Sequence, residues 1–119
     1  MSNSMIASSN DKVIVALCAA ADVEPGEIVQ GVLPGGHTLA VYNVDGDFYI
    51  TDDTCTHGEA SLAEDGMLEG DEVECTWHFG RFKVATGEAC AMPCTIPLRT
   101  WPVIMQGDQI CTEADSSFL

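Results

Sequence analysis

Two short segments restrict this chain more than anything else in it: Cys55-Thr56-His57 and Cys75-Thr76-Trp77-His78, with seventeen residues between them. Two thiolates and two imidazoles make a four-ligand set suited to zinc or to iron–sulfur chemistry. Each His is followed within two residues by a glycine, Gly58 or Gly80. Glycine lets backbone N–H groups approach a bound anion closely. Met67–Glu74 reads as a tight hairpin that delivers Cys75.

The rest of the chain reads as short strands separated by turns, an all-β pattern. Residues 1–10 are small, polar and unpatterned, a terminal tail. Lys12–Ala19 is a first strand. Its apolar run is far short of the roughly 20 residues that span a bilayer, and Asp11 offsets the lone cation Lys12, against a signal segment. Pro25-Gly26 makes a turn before a strand over Glu27–Leu33. Asp45-Gly46 between His37–Val44 and Asp47–Thr51 is the best hairpin signal, since that pair tolerates the positive φ of a type I′ turn. Glu59–Gly66 is expected to hold a short helical turn around Ala60–Ala63, and Phe82–Ala85 a strand. Ile96–Met105 and Ile110–Glu113 are expected to form a last hairpin, with Pro97 and Pro102 confining the longer arm to an edge or a bulge.

At 119 residues the chain is one domain, residues 11–114, with 115–119 as a C-terminal tail. His37 is the single His outside the two pairs, which leaves no inventory for a second, mononuclear iron site, and it is expected at the surface or in a cap. Nineteen acids face four cations, Lys12, Arg81, Lys83 and Arg99; eleven acids and no Lys or Arg lie in residues 45–74. Such a field repels nucleic acid and anionic membranes and steers in basic partners. Arg81 and Lys83 are expected to pair with nearby acids. Six cysteines without a secretory context point to the cytoplasm and reduced thiols. Cys18 and Cys111 are expected to be buried apolar thiols, and Cys90 and Cys94 lack the His neighbours of a further metal pair.

The segments CTHG and CTWHFG resemble the Rieske [2Fe–2S] proteins, and within them the small soluble ferredoxins that serve bacterial aromatic-ring dioxygenases. The likeness extends more weakly over residues 12–113. It implies a Rieske-type fold: an antiparallel β-sandwich or barrel-like base with a small cluster-binding subdomain, here about residues 53–94. It further implies that Cys55 and Cys75 bind one iron and His57 and His78 the other. Gly58, Trp77, Phe79, Gly80 and Pro93 would support the cluster, Pro93 from a third loop that shields it. Trp77 has two readings, core beneath the loop or exposed docking anchor.

Neutral imidazoles leave the site less negative than four thiolates would, so the potential rises, and the His edges would be the electron port. Where the respiratory branch of this family has a disulfide between its ligand loops, this chain has Ala60 and Trp77. Where that branch places Ser and Tyr hydroxyls on cluster sulfur, it has Gly80 and Phe82. A hydrogen bond to a charged group is worth about 1.5–3 kcal/mol, so two missing donors lower a one-electron potential by roughly 130–260 mV. The expected midpoint lies in the lowest third of the Rieske range of about −150 to +300 mV. The resemblance implies a monomeric one-electron carrier between an NADH-dependent flavoprotein ferredoxin reductase and a terminal oxygenase, not itself an enzyme. Two other readings are a fixed Rieske-like small subunit, as in nitrite reductases, and a structural zinc module.

Overall fold

The computed structural model describes residues 12–56, 59–77, 79–92 and 94–119. In chain order, the strands of the first half are β1 (Lys12–Ala19), β2 (Ile28–Val32), β3 (Thr38–Val44) and β4 (Asp47–Asp52). The short helix α1 (Leu62–Asp65) leads into β5 (Gly66–Glu69), β6 (Glu72–Cys75), β7 (Arg81–Lys83) and β8 (Ala89–Ala91). The chain closes with β9 (Thr100–Trp101), β10 (Ile104–Gln106) and β11 (Gln109–Asp115). These strands make three antiparallel sheets, ordered β1-β11-β10, β2-β3-β4-β9 and β5-β6-β7-β8.

β3 is buried on both faces because a sheet lies on each side of it. Leu39 and Val41 join one core with Ile50, Trp101, Ile110 and Ala114. Ala40 and Tyr42, pointing the other way as alternate strand residues must, join a second core with Leu62, Val73, Cys75 and Phe82. The strand therefore reads as a continuous apolar run in the middle (LAVY), as a strand covered twice should. The fully buried Tyr42 hydroxyl is paired with Thr51 Oγ1 at 2.8 Å, and burial pushes its ionisation above the usual range.

The β3–β4 turn has positive φ at both centres, Asp45 at 52° and Gly46 at 98°, the type I′ geometry expected of that dipeptide. Asn43 Oδ1 accepts from the Gly46 N–H at 2.7 Å and fixes the turn. The β5–β6 hairpin turns at Gly70, φ 60°. Ser61 caps α1 by accepting from the Glu64 N–H at 3.3 Å, the ordinary way of satisfying a free helix donor.

Two expectations are revised. Ile96–Met105 is not one arm: β9 pairs with β4, and β10 pairs with β11 in another sheet. Pro102 lies between them; lacking an N–H, it cannot continue the first ladder, and its carbonyl instead accepts from Thr112 Oγ1 at 2.7 Å. Residues 89–91, to which the sequence assigned no element, form the edge strand β8 on β7. Residues 115–119 do not trail: Ser116–Phe118 is a 3-10 turn whose Phe118 carbonyl accepts from the Gly35 N–H at 3.1 Å.

His37 is tied into this last feature. Its Nε2 lies 2.8 Å from Asp52 Oδ1, which also accepts from Trp101 Nε1 at 2.9 Å. Arg99 stacks over the Trp101 and Phe118 rings at 4.5 and 4.7 Å. The His expected at the surface or in a cap is thus a half-buried link between the start of β3 and the C-terminal turn.

Candidate metal centre

Cys55 and Cys75 are buried, 2% and 1% exposed, in one core beside Phe82, Val73 and Leu62. They come from different parts of the chain, Cys55 on the loop after β4 and Cys75 at the end of β6. The two loops close alike: the Cys55 N–H donates to the Ala60 carbonyl and the Cys75 N–H to the Gly80 carbonyl, each at 2.9 Å. A second bond, Phe79 N–H to the Cys75 carbonyl at 2.7 Å, tightens the loop further. It holds Phe79 at φ 65°, a region disfavoured for a residue with a Cβ.

Asp53 anchors the first loop, and sequence reasoning missed it. Although 1% exposed, its carboxyl accepts from Ser61 Oγ at 2.7 Å, the Ala63 N–H at 2.8 Å and Gln30 Nε2 at 2.9 Å. Its own carbonyl takes the Leu62 N–H at 2.8 Å. Buried polar groups must be matched in this way. An Asp ahead of a Ser-capped turn was the available signal. The second loop is tied to α1 by Thr76, whose hydroxyl and N–H both donate to the Asp65 carbonyl.

Cys94 comes into the same core from the third loop. It is 3% exposed, and its Sγ is 3.9 Å from Cys55 Sγ. Burial, then the neighbouring Cys55, pushes its thiol up to about 12. A Cβ added to Gly80 would sit 2.1 Å from that sulfur, so Gly80 is a glycine because Cys94 occupies its side-chain space.

The outer surface of this region is apolar and exposed. Trp77 is 56% exposed and Phe79 66%, with Met92 at 76% and Ile96 at 61%. Trp77 is therefore not core beneath its loop, and neither it nor Phe79 is buried against the thiols. Arg81 pairs with Glu69 at 2.6 Å, Glu72 at 3.5 Å and Glu74 at 3.7 Å, as expected of local neutralisation. Lys83 faces Glu72 across the β6–β7 ladder. His57, Gly58, His78 and Pro93 lie outside the described residues.

Comparison with known proteins decides the family: the Rieske [2Fe–2S] domain matches residues 13–102. The chain belongs to the Rieske [2Fe–2S] family. It is 63% identical over 97 residues to the ferredoxin component of the p-cumate 2,3-dioxygenase system of Pseudomonas putida, covering 82% of each chain. Its fold superposes on the Sphingomonas yanoikuyae B1 ferredoxin with a TM-score of 0.80 at 43% identity, over 84% of this chain and 97% of that one. A second likeness is to the ferredoxin in a complex of reduced oxygenase and oxidized ferredoxin from carbazole 1,9a-dioxygenase. There the TM-score is 0.78 at 43% identity, covering 87% and 93% of the two chains.

The residues in place fit a Rieske cluster. None of the six cysteines is in a disulfide, so neither Cys55 nor Cys75 has its sulfur tied up in one. Their pocket is apolar, and it brings two loops of like closure together. This Rieske chain is an iron–sulfur protein, which removes the structural zinc reading. Cys111 is fully buried as expected, while Cys18 is only partly covered.

Proposed function

We propose that this Rieske chain is the soluble ferredoxin of an aromatic-ring dioxygenase system, accepting one electron from an NADH-dependent flavoprotein reductase and delivering it to the Rieske centre of a terminal oxygenase. Cys55 and Cys75 would hold one iron, and His57 and His78 the other. When bound, the [2Fe–2S] cluster supplies a one-electron couple. The protein contributes the rest. Asp53 and the paired loop closures hold the thiolates, the apolar core keeps water from them, and the loop surface presents a contact face.

The observation that carries this reading is the two-sidedness of the second ligand loop: Cys75 is 1% exposed, yet Trp77, two residues on, is 56% exposed. A loop that buries its thiol and shows an aromatic beside it suits brief docking, since aromatic residues dominate interface energetics. Interfaces for redox encounters are typically below ~1,200 Å². The ferredoxin relative in complex with its oxygenase supports the choice of acceptor. The likeness to the p-cumate system makes that oxygenase the first to try. Among the described residues no helix is long and apolar enough to cross a membrane, and six cysteines with no disulfide among them suit a cytoplasmic carrier.

Reconstitution tests the proposal. With a flavoprotein reductase, NADH and the p-cumate oxygenase, product formation should require this protein, and turnover without it at the same rate would reject the role. The EPR spectrum of the dithionite-reduced protein should show the low average g value of mixed Cys/His ligation. Gel filtration should give a free monomer, in contrast to a fixed subunit.

A further inference from the structure

Cys94 stands apart from the other cysteines that are not cluster ligands. Cys111 is buried in β11 and bonds within its own hairpin, Cys90 is exposed, and Cys18 is partly covered on β1. Cys94 instead lies with its sulfur 3.9 Å from Cys55 Sγ, within reach of a sulfur hydrogen bond. Its position is defined from two sides. The Cys94 N–H donates to the Ala91 carbonyl at 3.1 Å, which turns the third loop inward. On the other side Gly80 leaves open the space that the sulfur fills.

We propose that Cys94 is a potential-setting residue: its S–H donates to Cys55 Sγ and stabilises the reduced form of the centre. The inference rests on Cys55 being an iron ligand. A liganded Cys55 is a thiolate with no proton to give, so in this pair Cys94 is the donor. Reduction adds negative charge to the site, and a bond to an ionised acceptor strengthens with that charge. The donor therefore raises the potential. Position 80 has no side chain, and the sulfur in its place is supplied from the third loop.

The test uses the iron-loaded full-length protein and its Cys94→Ala and Cys94→Ser variants. Cys94→Ala should make reduction about three- to tenfold less favourable, a downward midpoint shift of about 28–59 mV at 59 mV per tenfold. Cys94→Ser keeps a donor and should shift less. Both should retain the visible spectrum of the wild type. An unchanged midpoint in Cys94→Ala, or equal shifts in the two variants, overturns the donor role, the latter because it reports packing. The wild type gives a reading that needs no variant: the reduced-minus-oxidised infrared spectrum should contain one S–H stretch that moves to lower frequency on reduction. A difference spectrum without an S–H band overturns the proposal even if both variants fail to load iron. Failure of the ligand assignment itself would look different, as Cys55→Ser protein that keeps a native spectrum and midpoint.

Discussion

Ser61 Oγ donates to Asp53 Oδ2 over 2.7 Å, joining the cap of α1 to the residue two positions before Cys55. The same carboxyl holds Gln30 of β2 and the Ala63 N–H. The loop that presents the first thiol is thus fastened to the middle sheet by one buried side chain.

Asp53→Ala leaves those donors without an acceptor in a closed core. An unmatched buried donor costs about 1–3 kcal/mol, so the variant should lose about 3 kcal/mol in urea unfolding and release iron faster under chelator. Ser61→Ala removes only a cap and one bond, and should cost about 1 kcal/mol.

Gly80→Ala places a methyl group 2.1 Å from Cys94 Sγ. Overpacking of a closed core costs about 1–3 kcal/mol, and the variant should unfold at lower denaturant. Gly80→Ala combined with Cys94→Ala should recover most of that loss, because residues in contact are not additive. A strictly additive double variant would show that the sulfur is not what crowds position 80.

Phe79 keeps φ at 65° while 66% of its surface is exposed. Phe79→Gly removes a backbone penalty of about 1–2 kcal/mol but gives the unfolded chain more freedom. Thermal unfolding should show a net gain of about 0.5–1 kcal/mol. If the ring is a docking anchor, the same variant and Trp77→Ala should each raise the concentration that half-saturates the oxygenase by roughly fivefold, or ~1 kcal/mol, with the midpoint potential unchanged. A stabilised protein that docks normally would make the strain a local accident.

Phe118 lies against His37 and Trp101, with ring centroids 5.2 and 5.0 Å away, and under Arg99. Phe118→Ala should cost about 1–2 kcal/mol, a half-buried aromatic contributing less than a core one. Gly35→Ala should show a comparable loss, since its Cβ would meet the Phe118 carbonyl oxygen at 2.6 Å. Neither should alter the midpoint, because Phe118 packs against the core on the far face of β3 from Cys55, and exposed Gly35 is bonded to Phe118.

Much of the fold was legible because its signals are local. Asp45-Gly46 allows few turns, Ser61 ahead of Leu62 marks a helix start, and alternation marks strands. The cation pairing of Arg81 followed from its acidic neighbours in sequence. The division of residues 96–105 between two sheets was not legible, because it depends on which partner strand lies beside each half. Asp53 and Cys94 were missed for a like reason. An Asp in a loop and a Cys in an apolar segment have ordinary local meanings, and their roles come from groups as much as 39 positions away.

Residue type and short spacing were enough to carry the all-β class, the two closely spaced Cys-and-His segments and the acidic field. Tertiary structure decided that β3 is covered on both faces, that Trp77 faces outward while Cys75 faces inward, and that Gly80 makes room for the Cys94 sulfur. Those facts are matters of who occupies whose volume in a close-packed interior, and close packing is a property of the assembled chain, not of any stretch of it.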